Sequence, residues 1–292
     1  MRAAVSKIKV PAAGARLAKL LRGVGQEPSP LAATNPIGGW RQSLDLRLAK
    51  ELGFPGGYDY FHGDFLAGAM GALQHLAGDA LPMERRRCQE NTVSSSSMLG
   101  SDAGDFDSVV DAALRRTFQE GLRSLEDEGL ELRWELEEIS MASFGGALFV
   151  FGARRHPPSP PQEPLVRTSL GPHLLVAPVA EGFSSPLVCL QASALRGATL
   201  CVDAVLIAKQ TVVLKRKADG EVIAATFDEA ARHCLRLEAD LATPRRGASQ
   251  ELSPADLWTG RPLFNEERGW LVSDLNSGLS GNCVAKALQK AE

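Results

Sequence analysis

The hydrophobic pattern changes period once, at residue 129. In DFDSVVDAALRRTFQEGLRSLEDEG, Val110, Leu114, Phe118, Leu122 and Leu125 recur at helical spacing and form one apolar stripe. Asp105 or Asp107 is placed to cap its start, and Gly129 to end it. In LELRWELEEI, which follows at once, Leu130, Leu132, Trp134 and Leu136 alternate with Glu131, Arg133, Glu135 and Glu137. Strict alternation means a strand with one buried and one wet face. A chain that makes this switch must lay an amphipathic helix against an antiparallel-type sheet, which predicts an α+β fold with helices on one face.

The flanking segments extend that plan. WRQSLDLRLAKEL places Trp40, Leu44 and Leu48 four apart, a short helix closed by GFPGG. Residues 62–77 put Phe65, Ala69, Ala72 or Leu73, and Leu76 on one face. Gly68 and Gly71 there predict close approach of another element. Gly145-Gly146 reads as a turn between the alternating strand and a second strand, ALFVFGA. RRHPPSPPQEP (154–164), with five prolines, is either a domain boundary or a long loop within one sheet. Beyond it, HLLVAPV, PLVCLQA, ATLCVDAVLIAKQ, HCLRLEADL and GWLVSDLN read as strands. Asp219-Gly220 predicts a type I′ hairpin between two of these runs. Leu235, Leu237, Ala239 and Leu241 oppose Arg236, Glu238 and Asp240, so the pattern predicts one wet face here too.

The charge is unevenly distributed. Residues 1–26 hold Arg2, Lys7, Lys9, Arg16, Lys19 and Arg22 and no acid, so a net charge of −3 for the chain leaves −9 for the rest. An acidic body argues against a nucleic-acid partner, and basic clusters at 85–87, 215–217 and 245–246 read as solvated edges. AGARLAKLLRG forms one amphipathic helix, with Leu17, Leu20 and Leu21 on one side and Arg16, Lys19 and Arg22 elsewhere. An Arg-rich, acid-free start of this kind predicts a disordered mitochondrial transit peptide over 1–34, cut near 23–34. No run of about 18 apolar residues occurs, so membrane contact would be peripheral.

No catalytic signature emerges. GxSxG, GxxxxGK[ST], GxGxxG and HExxH are absent, and SGLSGN (277–282) is a turn sequence. His62, His75, His156, His173 and His233 lack ligand spacing. Cys88, Cys189, Cys201, Cys234 and Cys283 form no CxxC pair and are odd in number, which predicts buried, reduced thiols and a reducing compartment. Asp203 interrupts an apolar strand, and edge exposure is the expectation. Asp203 with His75 or His233 is the one acid–base pair available to an enzyme reading. Trp134 and Trp270 fall on the inward parity of their strands and read as core.

The helices DFLAGAMGALQHL and SVVDAALRRTFQEGL, the strand LELRWELEEI, and HCLRLEADL followed by a loop and GWLVSDLN give an order of elements that resembles a known domain family. It is the domain in the C-terminal half of the mitochondrial inner-membrane import-motor scaffold. The same domain occurs in a mitoribosomal large-subunit protein and in an adaptor of the matrix-facing AAA protease, and it has the NTF2-like cone fold. The resemblance spans about residues 60–277; the Pro-rich 154–164 and the loop 243–262 are longer than that family's core. It implies a curved antiparallel sheet over two or three helices, and a scaffold or adaptor with no catalytic residues, cofactor or metal to carry over.

The expectation is therefore a leader at 1–34, a short helix and linker at 40–58, one α+β cone at 60–277, and a frayed tail at 278–292. Its expected role is a non-catalytic mitochondrial matrix adaptor or assembly factor for protein partners, with possible inner-membrane contact. A mitoribosome-associated subunit and a small-molecule isomerase or dehydratase are the alternatives.

Overall fold

The computed structural model describes residues 10–24, 58–81, 110–151, 165–170, 173–178, 198–242, 263–264 and 269–276. The helices are α1 (Ala12–Leu21), α2 (Tyr58–His62), α3 (Asp64–His75), which runs into a π-helical turn at Leu76–Ala80, and α4 (Ala112–Asp127). The strands are β1 (Leu130–Phe151), β2 (Leu165–Leu170), β3 (His173–Pro178), β4 (Ala198–Arg216), β5 (Val222–Ala242), β6 (Leu263–Phe264) and β7 (Leu271–Leu275). The expected α+β class holds. The segments 40–57, 154–164 and 277–292, and the strand expected at PLVCLQA, lie outside the described residues.

Helix α4 carries the expected stripe: Leu114, Phe118, Leu122 and Leu125 are buried. Its cap is Asp111, not Asp105 or Asp107. The Asp111 carboxylate accepts from Ala113 N at 2.8 Å, and its own N–H donates to Val272 O at 2.9 Å. Val110 therefore precedes the helix and forms a parallel bridge with Val272. Gly129, at φ +67°, ends the turn after α4 in a conformation that favours glycine.

Strands β1, β4 and β5 form a long antiparallel meander in the order β2–β3–β1–β4–β5–β6, with β7 also paired to β5. β3 joins β1 in parallel at Val150↔Leu174 and Phe151↔Leu175. β1 is one strand of 22 residues, so Gly145-Gly146 is not a turn. Three register shifts fall between Leu136/Glu138, Ile139/Met141 and Phe144/Gly146. Each inserts one residue and resets the parity. The residues facing the helices consequently run Leu132, Trp134, Leu136, then Ile139, Ala142, Phe144 and Ala147. Asp219-Gly220 does join β4 to β5, but Gly220 alone takes positive φ (+71°). A type I′ turn needs positive φ at both positions, so this is a longer loop ending in a left-handed glycine.

Helix α1 forms where an amphipathic helix was expected, with Leu17, Leu20 and Leu21 on one side, but its setting differs from expectation. Residues 10–24 were expected in a disordered leader. The apolar side of α1 is instead seated in the common core: Leu17 and Leu21 are 0 % exposed, and Arg16, Lys19 and Arg22 point to solvent. It crosses α4 at two glycines. A Cβ on Gly14 would collide with the end of Leu125, and one on Gly121 would sit 2.7 Å from Leu17 Cβ. A cut at 23–34 would remove this helix from the core. The glycines predicted to allow close approach, Gly68 and Gly71, have nothing within 4 Å of a built Cβ.

Candidate functional site

Among the described residues, a buried polar network beneath α1, an ion pair on the far face of the sheet and two clefts beside α3 stand apart from the apolar core.

The network begins with orphan carbonyls. A helix leaves its last C=O groups unsatisfied, and buried ones need partners. Asn276 Nδ2 donates to Leu20 O at 2.6 Å, and Gln210 Nε2 donates to Arg22 O at 3.2 Å. Asn276, at φ +54° just after β7, also accepts from Cys234 N at 2.8 Å through Oδ1. Its Nδ2 therefore faces His233 Nδ1, at 3.0 Å, as a donor. That leaves the proton of a neutral His233 on Nε2, which donates to Gln210 Oε1 at 2.9 Å. The same oxygen accepts from Trp134 Nε1 at 2.7 Å. Burial pushes the His233 pKa down to about 4. Both ring nitrogens are engaged, so this histidine holds Gln210 and Asn276, the two amides that fasten the end of α1 to β4 and to the residue after β7.

The far face holds the second feature. Asp203 was expected at an exposed edge; it is 0 % exposed in the central strand β4, opposite Arg236 of β5. Arg236 Nε donates to Asp203 Oδ1 at 2.8 Å, and Nη2 donates to Oδ2 at 3.1 Å, a two-pronged pair. Burial works to lower the Arg236 pKa, and the hydrogen bonds and charge of Asp203 outweigh it, so the guanidinium stays charged. Glu238, expected on a wet face, is 1 % exposed and accepts from Ser273 Oγ at 2.8 Å. Cys201 and Cys234 are buried thiols in no disulfide, as expected. Burial, with a smaller push from Asp203, raises Cys234 to about 12, which leaves it unreactive. The candidate pair of Asp203 with His75 or His233 does not form. Asp203 is bonded to Arg236, while His233 lies with Leu235 and Leu237 on the helix side and His75 is on α3.

Two clefts flank α3. One, of about 500 Å³, lies against β1 and is lined by Gln74, Leu81, Leu132, Trp134 and Leu136 together with the charged Arg133 and Glu135. The other, of about 320 Å³, lies against β5 and β7. Gly68 and Gly71 give it an open floor, and Tyr60, Phe65 and Trp270 give it aromatic walls. Trp270, expected in the core, is only half-buried and donates its Nε1–H to Tyr60 Oη at 2.8 Å. Phe65 and Trp270 meet edge to face at 4.9 Å. Asp64 and His75 complete the lining. Burial and the nearby Asp64 charge hold the Tyr60 hydroxyl above its ordinary pKa, against the Trp270 hydrogen bond. The sequence marked Gly68, Gly71 and Trp270 as packing positions; nothing in their spacing says that they share an opening.

Among the described residues no group of three His, Cys, Asp or Glu could hold a metal ion, and no helix is long and apolar enough to cross a membrane. No family model matches the chain, and no curated protein matches it significantly.

Proposed function

We propose that this protein is a non-catalytic adaptor or assembly factor of the mitochondrial matrix, acting by binding protein partners. One observation carries the reading. The buried network of Gln210, His233 and Asn276 and the buried Asp203–Arg236 pair are committed to holding the fold, whereas the clefts beside α3 are open and set apolar and aromatic side chains beside a few polar ones. Open surfaces with such walls suit the binding of a partner. In this reading the long sheet is the wall of an NTF2-like cone, with its three bulges in β1 supplying curvature. The basic start serves as the address, and the mature chain keeps α1. Its contact with the inner membrane is peripheral in this reading.

The small-molecule alternative keeps one supporting observation: Tyr60, Asp64 and His75 line the same cleft. Mild crosslinking in isolated mitochondria, followed by purification of the C-terminally tagged protein, tests the proposal. The adaptor reading expects one stable set of assembly or inner-membrane proteins. Stoichiometric ribosomal subunits would replace it with the mitoribosomal reading. A partnerless protein, or one absent from mitochondria, would overturn it.

A further inference from the structure

We infer that the cleft between α3 and β1 is a strand-addition site: an extended segment of the partner protein, apolar at every second residue, pairs there with the outer edge of β1. The inference deepens the adaptor reading and rests on it for the existence of a partner. The edge itself supplies the chemistry.

The backbone carries the argument. Gly129 and Lys217 stand one step beyond the Leu130↔Arg216 pair, and Gly129 O accepts from Lys217 N at 2.8 Å. Antiparallel ladders alternate, so from Gly129 onward every second residue of β1 bonds to β4, and those between turn N–H and C=O the other way. Arg133 and Glu135 therefore bond to β4, whereas Leu132, Trp134 and Leu136 direct their backbone groups to the outer edge. Arg216 agrees: it stands opposite Leu130 and donates its N–H to Glu221 O instead, at 2.8 Å. The register runs unbroken to Leu136, where the first bulge falls. Among the described residues only β3 pairs with this edge, and only at Val150 and Phe151.

The cleft lies along that edge. Its lining takes in consecutive residues from Leu132 to Leu136, inward and outward side chains alike. An opening onto one face of a strand would meet every second residue, so meeting all of them means that it follows the edge. The facing wall is Gln74, Ala77, Gly78 and Leu81, one side of α3 and its π-helical turn. That wall stands where the sheet of a second copy would have to continue, so the geometry suits a single extended segment. Strand addition between an edge and a helix takes its affinity from main-chain hydrogen bonds and its specificity from alternate side chains. Side chains level with Leu132, Trp134 and Leu136 would turn toward the helix, where a Cβ on Gly78 meets nothing within 4 Å. Those positions are apolar. Side chains level with Arg133 and Glu135 would turn to the outer face. These two charges cancel, so no net sign is selected; an acid beside Arg133 and a base beside Glu135 set the register. Arg133 also holds Glu131 at 2.9 Å, which makes Glu135 the stronger selector. Read antiparallel, the segment runs apolar, basic, apolar, acidic, apolar.

The test uses the full chain and the capped heptapeptide Ac-Thr-Val-Lys-Val-Glu-Val-Thr-NH2, followed by amide NMR and hydrogen exchange. Its central valine falls level with Trp134 and its lysine level with Glu135. The inference predicts saturable binding, with the Trp134 amide exchanging about tenfold or more slowly at saturation. Methylating the central valine nitrogen, which donates to Trp134 O, weakens binding about tenfold. Methylating the lysine nitrogen, which points away from β1, leaves it within about twofold. The isomer with lysine and glutamate exchanged binds about fivefold more weakly, and Glu135→Lys removes that preference. Gly78→Leu fills the cleft and abolishes binding with no loss of thermal stability. Equal losses from the two methylations, an isomer that binds as tightly, or no saturable binding overturns the inference. If the Gly78→Leu chain still recovers the native partners from mitochondria, the strand site falls and the adaptor reading stands. If the peptide binds and no partner is recovered, the adaptor reading falls alone.

Discussion

At the scale of single residues, identical chemistry takes opposite signs in different places. Alanine at Gly68 gains about 1 kcal/mol of helix propensity with nothing to strike. Alanine at Gly121 makes the same gain but meets Leu17 Cβ, an atom fixed to the α1 backbone, at 2.7 Å. Overpacking of that kind costs about 1–3 kcal/mol and outweighs the gain. Urea unfolding should show Gly68→Ala more stable than the native chain and Gly121→Ala less. Sequence alone could not rank these glycines, because a helix repeat does not report what stands opposite. His233 supplies the second residue-scale prediction. Its folded pKa of about 4 lies below the unfolded value near 6.5, so the unfolded chain binds the extra proton as pH falls. The His233 contribution to stability is intact above pH 6.5 and is lost progressively between pH 6.5 and 4, about 2 kcal/mol by pH 4.5. Denaturant titrations at pH 7 and pH 4.5 should show that loss. His233→Gln should be less stable at pH 7 and should flatten the pH dependence over this window. An unchanged slope in the variant would refute the assignment.

At the scale of elements, the sequence was legible where one face truly met water. The α4 stripe and the alternation from Leu130 to Trp134 appear as read. The alternation in β5 misled, since it separates two faces without saying whether the second is covered. Arg236 and Glu238 alternate with leucines, yet both are buried because Asp203 and Ser273 answer them across the strands. The later part of β1 was illegible for a different reason: each bulge breaks the period of two, so SMASFGG looks like a turn. The Asp203–Arg236 pair gives a test at this scale. Asp203→Asn should cost about 3–5 kcal/mol by leaving a buried guanidinium uncompensated. Replacing both, as Asp203→Leu with Arg236→Met, should recover most of that loss, because the desolvation of two charges disappears with them. A double-mutant cycle by chemical denaturation measures the coupling. If the two substitutions are additive, the pair is not a unit.

At the scale of the whole molecule, the described residues from Leu17 to Leu275 share one hydrophobic core, and helix α1 is fastened by the last described residue through Asn276 and Leu20 O. That connection was hidden because a basic, acid-free amphipathic helix reads equally as a leader and as a core element. The separating features are the amides of Gln210 and Asn276, far away in sequence, which have no visible role until the carbonyls of α1 reach them.

The most direct test of this account is thermal unfolding of the full chain beside one that starts at residue 25. The truncation strips Leu17, Leu20 and Leu21 from the core and leaves Gln210 and Asn276 without their carbonyl partners. Each lost leucine is worth about 2–5 kcal/mol, which together rivals the total stability of about 5–15 kcal/mol typical of a domain. The account predicts that the shortened chain loses its cooperative transition or unfolds at least about 10 °C lower. A shortened chain that unfolds cooperatively at the same temperature as the full one would contradict it, and would return α1 to the role of a dispensable leader.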